Sequence, residues 1–135
     1  VTVSTEPTIQ DITKCLQRQL QTIDGLRAYA VEPDQPNLPC AYPRLVDWTY
    51  NDDFDAHSTT WHFDLWVLVS VGSQFGRAQN ELNEYLSPVS TRSVKQAVEG
   101  DPDLNARAVG GGTYGRVDLG GVAALGASIR IEVLT

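Results

Sequence analysis

A chain of 135 residues with 41% hydrophobic and 20% charged residues can bury one core of its own and does not read as disordered. Its formal net charge of −7 argues against a protein that wraps a nucleic-acid backbone, which needs Lys and Arg in excess, but suits a wall that DNA merely passes. Cys15 and Cys40 are too few for a disulfide framework and read as two buried thiols, a single bridge being the alternative; with no 18-residue apolar run and no signal-like opening, a soluble protein acting inside a cell or particle is expected.

Residues 1–7 are polar, without periodicity, and are expected to form an arm. From Thr8 to Ile23, Ile9, Ile12, Leu16, Leu20 and Ile23 recur at spacings of three and four, the stripe of an amphipathic helix. Thr8 and Asp11 stand at capping-box spacing, and Gly25 supplies a stop. Gln10, Gln17, Gln19 and Gln21 give this helix a neutral outer face, either solvated or suited to another subunit. Leu26–Val31 alternates as a short strand. Pro33, Pro36 and Pro39 then stiffen an extended loop, because proline fixes φ and cannot donate. Cys40–Tyr50 reads as a strand in which Pro43 removes one ladder donor, pointing to an edge or a bulge. An edge wants a cover, and a neighbouring subunit is a candidate for it.

Asn51–Ser58 is an acidic loop with Asp52, Asp53, Asp55 and His57. A metal or acid–base site built from these residues with His62 and Asp64 is one reading. The loop lacks the glycine and glutamate of a calcium loop, so a solvated hairpin connection is the stronger one. Thr60–Gly72 follows as a long strand in which Trp61, Phe63, Leu65, Val67, Val69 and Val71 alternate with His62, Asp64, Trp66, Leu68 and Ser70. Every residue from Leu65 to Val69 is apolar, which places the strand mid-sheet with both faces covered.

Helices are expected over Ser73–Leu86, with Phe75, Ala78, Leu82, Tyr85 and Leu86 inward, and over Ser90–Glu99, with Val94, Ala97 and Val98 inward. Asn105–Val109 opens another strand. The triplet Gly110–Gly112 reads as a bulge or bend, since a phosphate loop would lead straight into a helix. Gly120-Gly121 is a tight hairpin turn, and Val122–Leu134 is the closing strand.

The expected fold is α+β: one domain over residues 1–135, an antiparallel β-sheet with two to three helices packed mainly on one face. No G-x-S-x-G motif occurs, neither cysteine has a histidine near it in sequence, and the carboxylates lie in loops or on polar faces. The expectation is therefore no enzyme, no catalytic residue, no metal and no cofactor. The second face of the central strand, at Trp66 and Leu68, and the edge marked by Pro43 offer more apolar and pairing surface than one small domain needs, which favours an oligomer. On that reading Trp66→Asp or Leu68→Asp harms assembly more than folding.

Several stretches, TIQDITKCLQRQLQTIDGLRAYA, PDQPNLPCAYP, FDLWVLVS with AQNELNEYLS, RSVKQAVEGDPDL and YGRVDLGGVAALGASIRIEVLT, run nearly end to end through the chain. Together they resemble the tail terminator proteins of long-tailed, siphovirus-type bacteriophages, especially those of actinobacterial hosts. Ala124, where an aromatic residue is expected, and the triplet Gly110–Gly112 depart from that pattern. The resemblance implies a structural virion protein: a homo-oligomeric ring, a hexamer in that family, that caps the tail tube and ends its polymerisation. Its implied partners are the major tail (tube) protein, a head–tail stopper or neck protein, and DNA passing through the lumen without sequence-specific binding. No membrane is involved. Its implied place is the tail–neck junction of the virion, after assembly in the host cytoplasm. Asp52, Asp53 and Asp55 become candidates for the lumen or ring face, and Pro43, Trp66 and Leu68 for the subunit interface. The alternatives are a head-to-tail stopper or neck protein, or a small metal-dependent hydrolase using Asp52, Asp53, His57 or His62.

Overall fold

The computed structural model describes residues 8–35, 37–52, 57–72 and 74–135. The expected arm at residues 1–7 lies outside them. The elements in chain order are α1 (Ile9–Leu20), β1 (Arg27–Ala28), β2 (Cys40–Asp52), β3 (His57–Ser70), α2 (Phe75–Leu86), α3 (Val94–Glu99), β4 (Ala106–Leu119) and β5 (Val122–Leu134). The strands form one sheet in the order β1-β2-β3-β5-β4. The fold is α+β, and β3 lies mid-sheet between β2 and β5, as its apolar centre requires.

The sheet is mixed and not wholly antiparallel. β1 pairs with β2 in parallel over Arg27↔Cys40 and Ala28↔Ala41, whereas the other three pairings are antiparallel. The reason lies in the connection. Residues 29–39 form a crossover and not a hairpin, so the chain returns beside β1 running in the same direction. Only two of the six residues expected in this strand enter the ladder.

α1 starts where its sequence says. The Thr8 hydroxyl accepts the Asp11 N–H at 3.2 Å, and the Asp11 carboxylate accepts the Thr8 N–H at 3.0 Å, a reciprocal box that satisfies two free donors. The same two bonds hold the Asp11 carboxyl below its ordinary range. Ile12, Leu16 and Leu20 are fully buried, while Ile9 sits at the rim. Two of the outer glutamines bind the chain itself: Gln17 Nε2 donates to the Ala28 carbonyl at 3.1 Å and Gln19 Nε2 to the Ala97 carbonyl at 2.9 Å. α3 is capped by Ser93, whose hydroxyl accepts the Gln96 N–H.

The main core lies between the helices and one face of the sheet. Phe63, Leu65, Val67 and Val69 of β3, with Leu125, Ala127, Ile129, Ile131 and Val133 of β5, meet Ile12, Leu16, Leu20, Ala78, Leu82, Tyr85, Val94 and Val98. Period two on the strands and period three to four on the helices turn these residues to the same interior.

The second face holds a smaller cluster of Cys40, Tyr42, Leu68 and Ala124, with Tyr29, Leu38, Trp66 and Val117 packed against it. Tyr29 and Leu38 belong to the crossover, so the proline-rich segment lies on this face as a strap. It reaches the far hairpin: a Cβ at Gly120 would collide with the Asp34 carbonyl oxygen. Gly120 and Gly121 take φ of +59° and +80°, the left-handed pair that a two-residue turn between β4 and β5 requires. Gly126 makes room for Leu68, whose Cδ2 would lie 2.5 Å from a Cβ built there.

This arrangement changes the reading of Leu68. It is fully buried within the single chain, so the cover expected from a neighbouring subunit is supplied by the strap. Trp66 is half-buried beside it, and its Nε1 has no hydrogen-bond partner among the described residues.

Candidate functional site

Two surfaces remain after the helices and strap have covered the sheet: the far half of the β2–β3 pair and the outer side of β4. The first forms an arm. β2 pairs with β1 only at Cys40 and Ala41, and beyond that no strand flanks its outer edge among the described residues. The Ala41 carbonyl accepts the Tyr29 N–H on this outer side at 2.9 Å. Two residues on, the Pro43 nitrogen points the same way, where no ladder donor is missed.

A bulge then resets the arm. Leu45 pairs with Phe63 but Asp47 pairs with His62, so Val46 is one residue too many on β2. Before the bulge the odd residues of β2 face the helices. After it the even residues do, because a one-residue slip exchanges the faces of a strand. Trp48 and Tyr50 are thereby turned to the helix side, beyond the reach of the helices, and stay 48% and 65% exposed. Trp48 leans on Trp61 with ring centroids 6.2 Å apart, and Trp61 Nε1 donates to the Thr135 hydroxyl at 3.3 Å.

The opposite face of the arm is polar. His62 lies between two carboxylates, with Nδ1 2.5 Å from Asp47 Oδ1 and Nε2 3.3 Å from Glu132 Oε1. Glu132 also accepts from Arg107 Nη2 at 3.0 Å, so one polar ladder crosses β2, β3, β5 and β4. The Arg107 guanidinium, with a smaller share from His62, holds the Glu132 carboxyl below its ordinary range. Beside this ladder Arg130 Nε donates to Asp64 at 3.0 Å, and Arg44 Nη2 donates to Glu32 of the strap at 2.8 Å. These pairs are partly exposed, and ion pairs open to water add little to stability. They matter more as register pins than as sources of stability.

His62 and Asp64 have different partners, and no group of three or more His, Cys, Asp or Glu placed to hold a metal occurs among the described residues. Asp52 ends β2 opposite His57, as a hairpin connection requires. Asp53 and Asp55 lie outside the described residues. The three interface candidates do not form one patch. Pro43 is buried on the helix side opposite Leu65, while Trp66 and Leu68 belong to the strap side.

The second surface is β4, the outermost strand on its side. Its ladder with β5 is interrupted between Ala108 and Gly110 and again between Gly111 and Tyr114, so the glycine triplet is a double bulge. The bent strand rests on Ser128, whose hydroxyl accepts the Thr113 N–H at 3.0 Å. A Cβ at Gly111 or Gly112 would come within 3.2 Å of Ser128 oxygens, which is why glycine suits the bend. The bend opens a cleft of about 490 Å³ on the helix side, between it and the end of α2. Leu86, Pro88, Ala108, Tyr114 and Ile129 line it, with Lys95 at its margin. Tyr114 is tethered there by its hydroxyl, 3.2 Å from Asn83 Oδ1.

Trp48, Tyr50 and the cleft do not follow from the sequence reading. The signal that carries the first two is the doublet Leu45-Val46, where the alternation of β2 changes phase. No protein-family model matches the chain, and no curated protein matches it.

Proposed function

We propose that this chain is a tail terminator of a long-tailed bacteriophage: a subunit of a ring that caps the tail tube, ends its growth, joins it to the neck and lets DNA pass through its lumen. One observation carries the reading. The sheet ends on two open and unlike edges, the bulged arm of β2 on one side and the bent β4 on the other. Open edges of this length invite pairing unless something covers them. Unlike edges cannot satisfy each other in a two-fold dimer; they call for a head-to-tail contact, which generates a ring when the rotation closes. The charge of −7 suits a conduit that repels DNA and does not hold it. The end-to-end sequence resemblance supplies the identity of the tube and neck as partners.

The test is capping. Polymerising tube subunits are mixed with increasing amounts of the chain, and tube lengths are measured by electron microscopy. Tubes shorten and carry one terminal ring if the reading holds. Unchanged tube lengths and bare ends at saturating chain contradict it. A ring found only above another terminator ring assigns the chain to the stopper instead.

A further inference from the structure

Resting on the ring reading, we infer that the aromatic side of one subunit's arm, Trp48 with Tyr50, seats in the cleft of the next subunit, between its Leu86–Pro88 corner and its glycine bend. The arm and the cleft are each incomplete alone. Trp48 and Tyr50 stand in solvent on the helix side of the sheet. The cleft opens on that same side, at the other edge.

A chain cannot fill its own cleft. β2 and β4 are separated by β3 and β5, three strand spacings or roughly 14 Å. The occupant is therefore a second copy. When the open edge of β2 continues the sheet of a neighbour beyond β4, residues on the helix side of one sheet stay on the helix side of the next. Trp48 and Tyr50 then arrive beside Ala108 and Tyr114 and not on the strap side. Had Val46 not bulged the strand, the same edges would present Asp47 there.

Size and charge agree. A cleft of about 490 Å³ with Leu86, Pro88, Ala108, Tyr114 and Ile129 on its walls is in the range that takes a large apolar group. Trp and Tyr combine an apolar body with a polar tip that suits a half-open site. From Val46 to Asp52 the arm carries Asp47 and Asp52 and neither Lys nor Arg. β4 carries Arg107 and Arg116 against Asp118 alone, and the Arg107 side chain is 71% exposed. An acidic arm thus meets a basic edge, which fixes the direction of the contact. The contact is head-to-tail by construction, so no copy fills a cleft without exposing its own to the next.

The experiment is cysteine cross-linking in a Cys15→Ser background, with the native mass measured in parallel. The double variant Trp48→Cys/Pro88→Cys, oxidised at high protein concentration, is expected to give a ladder of covalent oligomers ending at the mass of the ring. Each single variant gives none, and a mixture of the two singles gives covalent dimers. Trp48→Ala and Tyr50→Ala, both exposed positions, should each weaken assembly at least tenfold while the chain still folds and melts cooperatively. A ring of normal mass without a cross-linked ladder, and with assembly indifferent to Trp48→Ala, overturns the seating and leaves the ring reading standing. A chain that stays monomeric at every concentration overturns both.

Discussion

Trp48 and Trp61 face each other across β2 and β3 with ring centroids 6.2 Å apart and planes inclined at 37°, yet Trp61 joins the margin of the core while Trp48 stays nearly half in solvent. The difference is one of position along the arm. Trp61 is braced by Thr135 at the end of β5, and Trp48 lies on the outer strand with its far side open. An aromatic pair of this kind adds about 0.5–1.5 kcal/mol beyond burial. Trp48→Ala should therefore lower the unfolding free energy by no more than about 1.5 kcal/mol, whereas a fully buried leucine cut to alanine costs about 2–5 kcal/mol. Urea denaturation of Trp48→Ala beside Leu82→Ala measures the contrast. Equal losses would mean that Trp48 is a core residue of the single chain.

Leu68 gives the reverse case. It is fully buried under the strap against Gly126 and Ala124. Leu68→Asp puts an unpaired carboxylate into that space and should unfold the monomer, seen as loss of cooperative melting by circular dichroism. Trp66→Asp, at a half-buried position, should be the milder of the two. A folded Leu68→Asp chain that merely fails to assemble would restore Leu68 to the subunit interface.

The bulge at Val46 makes its own prediction. Deleting Val46 takes out the one extra residue, so Leu45 opposite Phe63 is followed directly by Asp47 opposite His62 and Trp48 opposite Trp61, and Trp48 and Tyr50 keep their side of the sheet. The deleted chain should still fold, because the core residues of β2 precede the bulge. It should keep the Trp48–Trp61 contact, visible as a retained near-ultraviolet circular dichroism spectrum, and with it ring assembly. Loss of that spectrum and of assembly would show that the local bend of the bulge, and not only the side of the sheet, places the arm.

Two limbs of pH dependence follow from the charged ladder and the strap. Arg107 holds Glu132 below its ordinary 4.5, and Lys95 does the same for Glu99. A carboxyl whose folded pKa is depressed binds fewer protons folded than unfolded, so its contribution is complete above about pH 4.5 and is lost as pH falls through the folded value. Tyr42 is pushed from 10.0 to about 12, first by burial and next by Glu32. The folded chain keeps that proton, so the contribution is complete below pH 10 and is lost as pH rises toward 12. Burial likewise pushes the Cys40 thiol from 9.0 to about 11, so urea midpoints across pH 3–12 should be flat only from the acid limb to about pH 9 and then fall. Glu132→Gln should flatten the acid limb and Tyr42→Phe the alkaline one; limbs unchanged in these variants would assign them to other groups.

Much of the fold is legible in the sequence wherever the signal is local. Thr8 and Asp11 announce α1 because a capping box is a contact between near neighbours. Gly120-Gly121 announces the hairpin because only that turn needs two positive φ values in a row. The apolar run Leu65–Val69 announces a central strand, since both its faces are covered. What escapes is set by partners distant in sequence. The parallel entry of β1 depends on how residues 29–39 cross, and the strap over Leu68 brings Asp34 to Gly120. Gln17 and Gln19 read as an outer face because nothing local reveals that they donate to Ala28 and Ala97. The surfaces proposed for assembly were the least legible part. Pro43 correctly marks an edge, but the face presented there depends on the single extra residue Val46.

The central claim is a closed ring built through unlike edges, and native mass spectrometry of the purified chain over a range of concentrations tests it most directly. One dominant assembly is expected, six chains of 14.8 kDa, with no stable two-fold dimer on the way. A chain that remains monomeric throughout, or stops at a symmetric dimer, would contradict it.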